Sequence, residues 1–274
     1  MDYSNFHNHT NYADGASSCE EMILAAIERG YRAFGISEHS HTIVPFDEGN
    51  LFTIESQNAF FDEMRALQAK YADKIDVFYG IEHDILCGLP TDDAEYIVGS
   101  VHFVQPNGEF CFVDYGEDKQ RETVAKHYNG DWYAFAEDYY AQVSQVASIT
   151  KCNFVGHFDL VTKYNDSDRL FDTSHPRYRA AALTAMDEIL KTCRVFEVNT
   201  GAMYRTGRAE QYPQTWLLSE LLTRGGEVIL SSDSHSAEGD WIGYKFAEMD
   251  ALLREVGFKH RKTLTRDGFA DVVL

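Results

Sequence analysis

Short apolar runs recur along the chain, each followed by a cluster of polar residues and then by apolar positions at helical spacing. The runs are Phe6 to His9, Ala33 to Ser37, Val77 to Ile81, Ile97 to Val101, Phe154 to Gly156, Val195 to Val198 and Val228 to Leu230. Their length and composition predict seven strands. Between them, Ser18 with Glu21 three residues on forms a capping box for a helix whose Met22, Ile23, Ala26 and Ile27 make an apolar stripe, and Gly30 supplies its stop. Ile54 to Tyr71 sets Phe60, Phe61, Met64, Leu67 and Tyr71 on one face of a second helix. Further helices are predicted over Trp132 to Lys151, Pro176 to Thr192, Pro213 to Arg224 and Tyr244 to Val256, two of them opening on a proline suited to a first turn.

Alternation of strand and helix throughout predicts an α/β protein with a largely parallel sheet. The segment from Gln105 to Gly130 breaks the rhythm with Pro106, Gly108, Gly116 and Gly130. It predicts a long inserted loop, with a short hairpin around Phe110 to Val113. Asp166 to Ser174 predicts a second, polar loop. No repeat, proline-rich hinge or Gly/Ser linker divides the sequence, so residues 1–274 are expected to form one domain.

Composition narrows the function. With 44% hydrophobic and 25% charged residues the chain has ordinary globular content. The formal net charge of −20 opposes contact with phosphate backbones and anionic membrane surfaces. No apolar run approaches a bilayer span and the first ten residues are polar, so neither a membrane segment nor a signal peptide is expected. Cys19, Cys87, Cys111, Cys152 and Cys193 are odd in number and lack any C-x-x-C pair, which predicts small buried thiols in a reduced, cytoplasmic protein.

The chemistry lies in where the histidines fall. Strands end at His7-Asn8-His9, Glu38-His39-Ser40-His41, Glu82-His83-Asp84, His102, His157-Phe158-Asp159, Asn199 and Asp233-Ser234-His235. An even spread would place about one of the 11 histidines in the roughly 21 positions at these mouths, where barrel enzymes build their sites. Eight are there: His7, His9, His39, His41, His83, His102, His157 and His235. Many imidazoles with few carboxylates is a metal-ligand set, suited to Zn, Mn or Fe.

His7 and His9, two apart on a strand, face the same side. Nine candidate donors result: His7, His9, Asp14, His39, Glu82, His102, His157, Asp233 and His235. They exceed what one ion needs and suit two to three divalent ions. Asp14 lies in the loop Thr10 to Gly15, as a ligand or as an ordinary turn residue. His41 and His83 are candidates for catalysis and substrate contact, as ligand-supporting groups, phosphate contacts or proton donors. His127, His175 and His260 lie away from the strand mouths and are expected to be surface or core residues.

Three divalent ions would bring +6 against −3 from Asp14, Glu82 and Asp233, a locally positive pocket suited to an anionic reacting group. Hydroxide bridging two ions is the expected nucleophile, attacking phosphorus in line. There is no Walker loop and no G-x-G-x-x-G fingerprint, so nucleotide-cofactor chemistry is not indicated.

Phe6-His7-Asn8-His9-Thr10 with Asp14-Gly15, Gly35-Ile36-Ser37-Glu38-His39, Gly80-Ile81-Glu82, Ser100-Val101-His102, Gly156-His157 with Asp159-Leu160, and Ser232-Asp233-Ser234-His235 resemble, in that order, the motifs of the polymerase and histidinol phosphatase (PHP) family, and within it the stand-alone phosphatases. The resemblance spans nearly the whole chain and implies a distorted (β/α)7 barrel with its site at the C-terminal ends of the strands. It implies a trinuclear centre: one ion on His7, His9, Glu82 and Asp233, a second on Glu82, His102 and His157, a third on Asp14, His39 and His235. It also implies that Glu197 to Gly201, followed by Arg205, shapes the substrate pocket, where Arg205 can meet phosphate bidentately. The implied activity is hydrolysis of the small phosphate monoester L-histidinol phosphate, a step of histidine biosynthesis. The alternative within the family is a phosphoesterase acting on nucleotides or short oligonucleotides, disfavoured by the charge.

Overall fold

The computed structural model describes residues 3–45 and 52–274. Its strands, in chain order, are β1 (Ser4–Asn5), β2 (Ala33–His39), β3 (Asp76–Asp84), β4 (Tyr96–Ser100), β5 (Phe103–Val104), β6 (Cys111–Phe112), β7 (Phe154–Val155), β8 (Val195–Asn199), β9 (Glu227–Ser231), β10 (His260–Thr265) and β11 (Gly268–Val273). The helices are α1 (Cys19–Glu28), α2 (Ile54–Lys70), α3 (Glu117–His127), α4 (Trp132–Val143), α5 (Val146–Thr150), α6 (Pro176–Ile189), α7 (Gly201–Thr206), α8 (Thr215–Thr223) and α9 (Phe246–Val256).

One sheet runs β1-β2-β3-β4-β7-β8-β9-β10-β11, parallel until the final antiparallel pair. It curls until its two sides meet. At the C-terminal ends of the strands, Asn8 bridges Ser234 and the His9 amide donates to the Ser234 carbonyl at 2.8 Å. At the opposite end β10 lies in the gap, paired with β9 at Lys262 and tied to β1 by the Thr263 hydroxyl on Ser4 Oγ at 2.8 Å. The seven expected strands therefore form a barrel distorted at one seam, with the helices covering its outside.

Two apolar layers hold it. Inside, Phe6, Phe78, Tyr96, Val98, Phe154, Ile229 and Leu264 fill the lower barrel. Tyr96 fits there because Gly35 and Gly80 leave room: a Cβ at Gly80 would stand 2.6 Å from its ring, and one at Gly35 would overlap its hydroxyl. That hydroxyl donates to the Phe6 carbonyl at 2.7 Å, so the one polar tip in the apolar plug is satisfied. Outside, the apolar faces of α1 (Met22, Ile23, Ala26) and α2 (Phe60, Phe61, Met64, Leu67) pack on the sheet. The Ser18–Glu21 capping box is formed, and Gly30 takes φ +75° after α1.

The differences from expectation have local causes. The run Phe6 to His9 pairs only through Asn8, because it lies at the seam, and the ladder of β1 falls on the two residues before it. The helix expected over Trp132 to Lys151 breaks into α4 and α5, and α8 begins at Thr215, two residues after Pro213. The stretch 105–130 is not a long loop. The β5–β6 hairpin enters it and α3 occupies 11 of its residues. Only Gln120, Thr123 and Val124 of α3 are buried, so the apolar stripe that marks a helix is missing. Hairpin β10–β11 and helix α7 were not anticipated. Among the described residues no helix is long and apolar enough to cross a membrane, and all five cysteines are free.

Candidate metal centre

All nine expected donors converge at the C-terminal mouth of the barrel. They form overlapping groups in which ligand atoms lie within 4.8 Å of one another: His9, Asp14, His39 and His235; His7, His9 and Asp233; His7, Glu82 and His157; His39, Glu82 and His102. Glu82 is the hub. Its Oε1 lies 2.8 Å from His157 Nε2 and 3.3 Å from His102 Nε2; its Oε2 lies 2.7 Å from His39 Nδ1, 3.4 Å from His7 Nε2 and 3.6 Å from His9 Nε2. Asp233 Oδ1 is 3.2 Å from His9 Nε2, and Asp14 Oδ1 is 3.2 and 3.4 Å from the Nε2 atoms of His235 and His39. Asp233 reaches this position from a left-handed backbone (φ +46°), a conformation that Asp tolerates better than most residues and that recurs at functional sites.

A second layer of buried groups aims these donors. Glu197, fully buried on β8, accepts from His7 Nδ1 at 2.6 Å, from the His157 amide at 2.7 Å, from Asn199 and from the Ser231 hydroxyl. Asp84 lies 3.0 Å from His102 Nδ1 and accepts from the His102 amide at 2.8 Å. The His235 ring stacks on Trp241, whose indole N–H is anchored on the Ser232 carbonyl. Such partners fix ring orientation and raise the basicity of metal-bound imidazole.

The donor set suits a cation. His7 Nε2 and both nitrogens of His9 are buried without a hydrogen-bond partner among the described residues. Buried polar atoms are otherwise almost always paired. Protons stand in without metal: although burial opposes charge on His7, His39 and His102, the surrounding carboxylates hold all three pKa values up, His102 at about 10. Although burial favours their neutral forms, Glu82 and Asp233 are held well below the usual carboxylate range by the imidazoles.

This gives a signed prediction. Groups with raised pKa contribute stability that is complete below the unfolded value of about 6.5 and vanishes as pH rises through the folded value, about 10 for His102. The carboxylates' share is complete above about 4.5 and is lost in acid. Metal-free protein therefore loses Tm as pH rises from 6.5 to 10. Zinc-loaded protein does not follow that fall, since bound cation replaces the protons. Thermal melts across pH, with and without chelator, check it.

Two connected hollows share this wall. The inner one, about 90 Å³, is bounded by seven of the nine metal-ligand candidates, all but His7 and His9, together with Asp114, Leu160, Lys163, Ala202, Arg205 and Tyr212. The outer one, about 410 Å³, adds Phe103, Phe112, Tyr115, Tyr164 and Thr206. Arg205, near the end of α7, lines both hollows, its guanidinium 2.8 and 2.9 Å from the His235 ring nitrogens. Lys163 Nζ lies 2.9 Å from Asp114, whose carboxyl is held at about 2 by Lys163 and His102 against the effect of burial.

His41 and His83 do not line either hollow. His83 is placed on the opposite face of β3 by the pleat that turns Glu82 and Asp84 inward, and its Nδ1 lies 3.3 Å from the Thr91 hydroxyl. His41 follows the end of β2, with its Nδ1 buried and without a partner among the described residues. Lys163 and Tyr212 were missed in the sequence. The only signal was a cation six residues beyond the His157 strand mouth, which the turn at Leu160–Thr162 carries back to the cavity.

A parallel barrel with clustered imidazoles and carboxylates at its strand ends, beside two cationic side chains, defines a metal-dependent enzyme of the barrel hydrolase class. The chain belongs to the PHP domain family, which matches over residues 5–201. It is similar to a probable histidinol-phosphatase of Deinococcus radiodurans, 29% identical over 270 residues covering 93% of this chain and 96% of that protein. It is likewise similar to the histidinol-phosphatase of Lactococcus lactis subsp. lactis, 25% identical over 283 residues covering 97% and 94% of the two chains. The crystal structure of histidinol phosphate phosphatase from L. lactis, complexed with zinc, L-histidinol and phosphate, shares the fold. Its TM-score is 0.70 at 20% identity, over 97% of this chain and 98% of that one.

Proposed function

We propose that this protein is a metal-dependent phosphomonoesterase that hydrolyses L-histidinol phosphate to L-histidinol and phosphate, the reaction of the relatives it resembles along nearly its full length. The observation that carries the reaction class is the inner hollow, whose size suits a phosphoryl group and whose wall joins metal-ligand candidates to Lys163 and Arg205. The outer hollow, about 410 Å³ with aromatic Phe103, Phe112 and Tyr115, suits a small organic leaving group. Neither it nor the −20 charge favours the alternative, a phosphoesterase of nucleotides or short oligonucleotides.

The donor groups support a trinuclear centre of zinc, manganese or iron. His7, His9 and Asp233 gather at one position; Glu82 is shared by His157 and His102 at another; Asp14, His39 and His235 gather at the third. Bound there, divalent ions bring the pKa of water toward neutrality and offset charge on the phosphoryl oxygens. The chain's own groups do the rest. Glu197 and Asp84 hold His7 and His102 in register, and Lys163 and Arg205 hold the phosphate by charge and hydrogen bonds. Asp114 keeps the Lys163 ammonium at the wall. The reading places the protein in histidine biosynthesis and in the cytoplasm.

The test is phosphate release by metal-loaded protein from L-histidinol phosphate, from a panel of other monoesters and from short single strands, before and after chelation. L-histidinol phosphate is expected to have the highest kcat/KM, and chelator to abolish it. Release only from other monoesters would remove the substrate assignment, and faster cleavage of the single strands would favour the alternative.

A further inference from the structure

Among the described residues, the carboxylates lining the outer hollow are Asp14, Glu82, Asp84 and Asp114. Asp14 and Glu82 are metal-ligand candidates. Asp84 is 3% exposed and both its oxygens are taken, Oδ1 by the Leu86 amide at 2.8 Å and Oδ2 by the amide and ring of His102. Asp114 differs from all three. Its side chain is 24% exposed, it lines the inner hollow as well as the outer one, and its Oδ2 alone is engaged, by Lys163 Nζ at 2.9 Å. Oδ1 has no partner among the described residues. The carboxylate faces the site, since its charge acts on His102, His157 and Lys163 and on the phenols of Tyr164 and Tyr212, all of them side chains of the hollow walls.

The backbone that carries it is fixed. The Val113 amide donates to the His102 carbonyl at 2.8 Å, the Val113 carbonyl accepts from Gln120 Nε2 at 3.0 Å, and the Asp114 carbonyl accepts from the Tyr164 hydroxyl. A carboxylate held in place with one oxygen saturated and the other open to a cavity is a receptor for a cation. With the phosphoryl group on Lys163 and Arg205, charge alternates along this wall from phosphate to Lys163 to Asp114. The complementary ester therefore carries a positive group in its alcohol part, close to the ester oxygen. An ammonium on the carbon next to the one that bears that oxygen meets the requirement, because it stays near the junction of the two hollows when the phosphate is in the inner one.

We infer that Asp114 Oδ1 accepts a hydrogen bond from the ammonium of a β-amino alcohol leaving group, so that the site selects phosphate monoesters of amino alcohols over those of neutral alcohols of the same shape. This rests on the phosphomonoesterase reading and deepens it: L-histidinol phosphate is one ester of that class. Asp114 is then a specificity-determining residue, while its Oδ2 keeps Lys163 on the phosphate.

The measurement is a ratio between two esters, L-histidinol phosphate and its desamino analogue, which differ only in the ammonium. For zinc-loaded wild type, kcat/KM is expected to be roughly 10- to 100-fold higher for the amino ester. In Asp114→Asn both values fall as Lys163 loosens, but the amino ester loses more, and the ratio drops to within about threefold of unity. Asp114→Glu keeps the charge and should retain part of the preference. A residue that only supports Lys163 or the fold would lower both esters alike and leave the ratio at its wild-type value. That result would overturn the inference, as would a wild type indifferent to the ammonium, and either would leave the phosphomonoesterase reading standing. Should Asp114→Asn fail to fold, product inhibition of wild type and of Asp114→Glu by L-histidinol and by its desamino analogue carries the test. Inhibition of wild type by the neutral alcohol about tenfold weaker or more, with a smaller gap in Asp114→Glu, is expected, and equal inhibition by the two alcohols or an unchanged gap overturns the inference. Wild type that cleaves neither these esters nor any other monoester would sink the phosphomonoesterase reading and this inference together.

Discussion

Glu82→Gln is expected to lower ester hydrolysis by roughly 10³-fold or more and to reduce the metal content of the purified protein. Five imidazole nitrogens, from His7, His9, His39, His102 and His157, lie between 2.7 and 3.6 Å from its two oxygens. Among the described residues no other carboxylate touches so many of the donors. The glutamine keeps the shape but loses the charge and presents an N–H₂ where one oxygen stood. With 1% of the side chain exposed, water has no room to take over as ligand or counter-charge. Steady-state phosphate release paired with elemental analysis reads both effects, and kcat should fall far more than KM rises, because the loss is of assembled sites. A variant with full metal content and turnover within tenfold of wild type would show that the two halves of the donor set are independent, and Glu82 would lose its place as hub.

The barrel and its donors were legible for one reason. Strands buried on both faces read as unbroken apolar runs, and polar residues at the ends of such runs must emerge together at one rim. His7, His39, His102 and His157, far apart in sequence, could be grouped without coordinates. The pleat could have excluded His83: flanked by Glu82 and Asp84, it has to face the other way. The hairpin β10–β11 also left a signal, Arg266-Asp267-Gly268 between two alternating stretches, with Gly268 at φ +105°. Other features had no local signature. Helix α3 carries almost no apolar face, and helix α7 is too short for periodicity to register. Glu197 reads as one polar residue inside an apolar strand until the fold sets it beside His7. Lys163 and Tyr212 reach the cavity only through connections whose course is set by packing.

The second large effect falls on the cations. Lys163→Ala and Arg205→Ala are each expected to lower kcat/KM by about 10²-fold, through a higher KM for the ester as well as a lower kcat, with metal content retained. Both groups line the inner hollow, and neither is free to swing away. Lys163, 11% exposed, is held on Asp114, and Arg205 lies over the Trp241 ring at 5.3 Å. A cation fixed beside a dianionic ester strengthens both ground-state binding and the transition state. Loss of either therefore divides between KM and kcat, whereas loss of Glu82 should not. The two sites differ in what restores function. Lys at position 205 supplies a point charge without the planar fork, so Arg205→Lys should recover only part of the loss, while Lys163→Arg should recover more because charge is what Lys163 supplies. Kinetics of the four variants with L-histidinol phosphate decide the matter: kcat/KM within threefold of wild type in both alanine variants would move the phosphate out of the inner hollow.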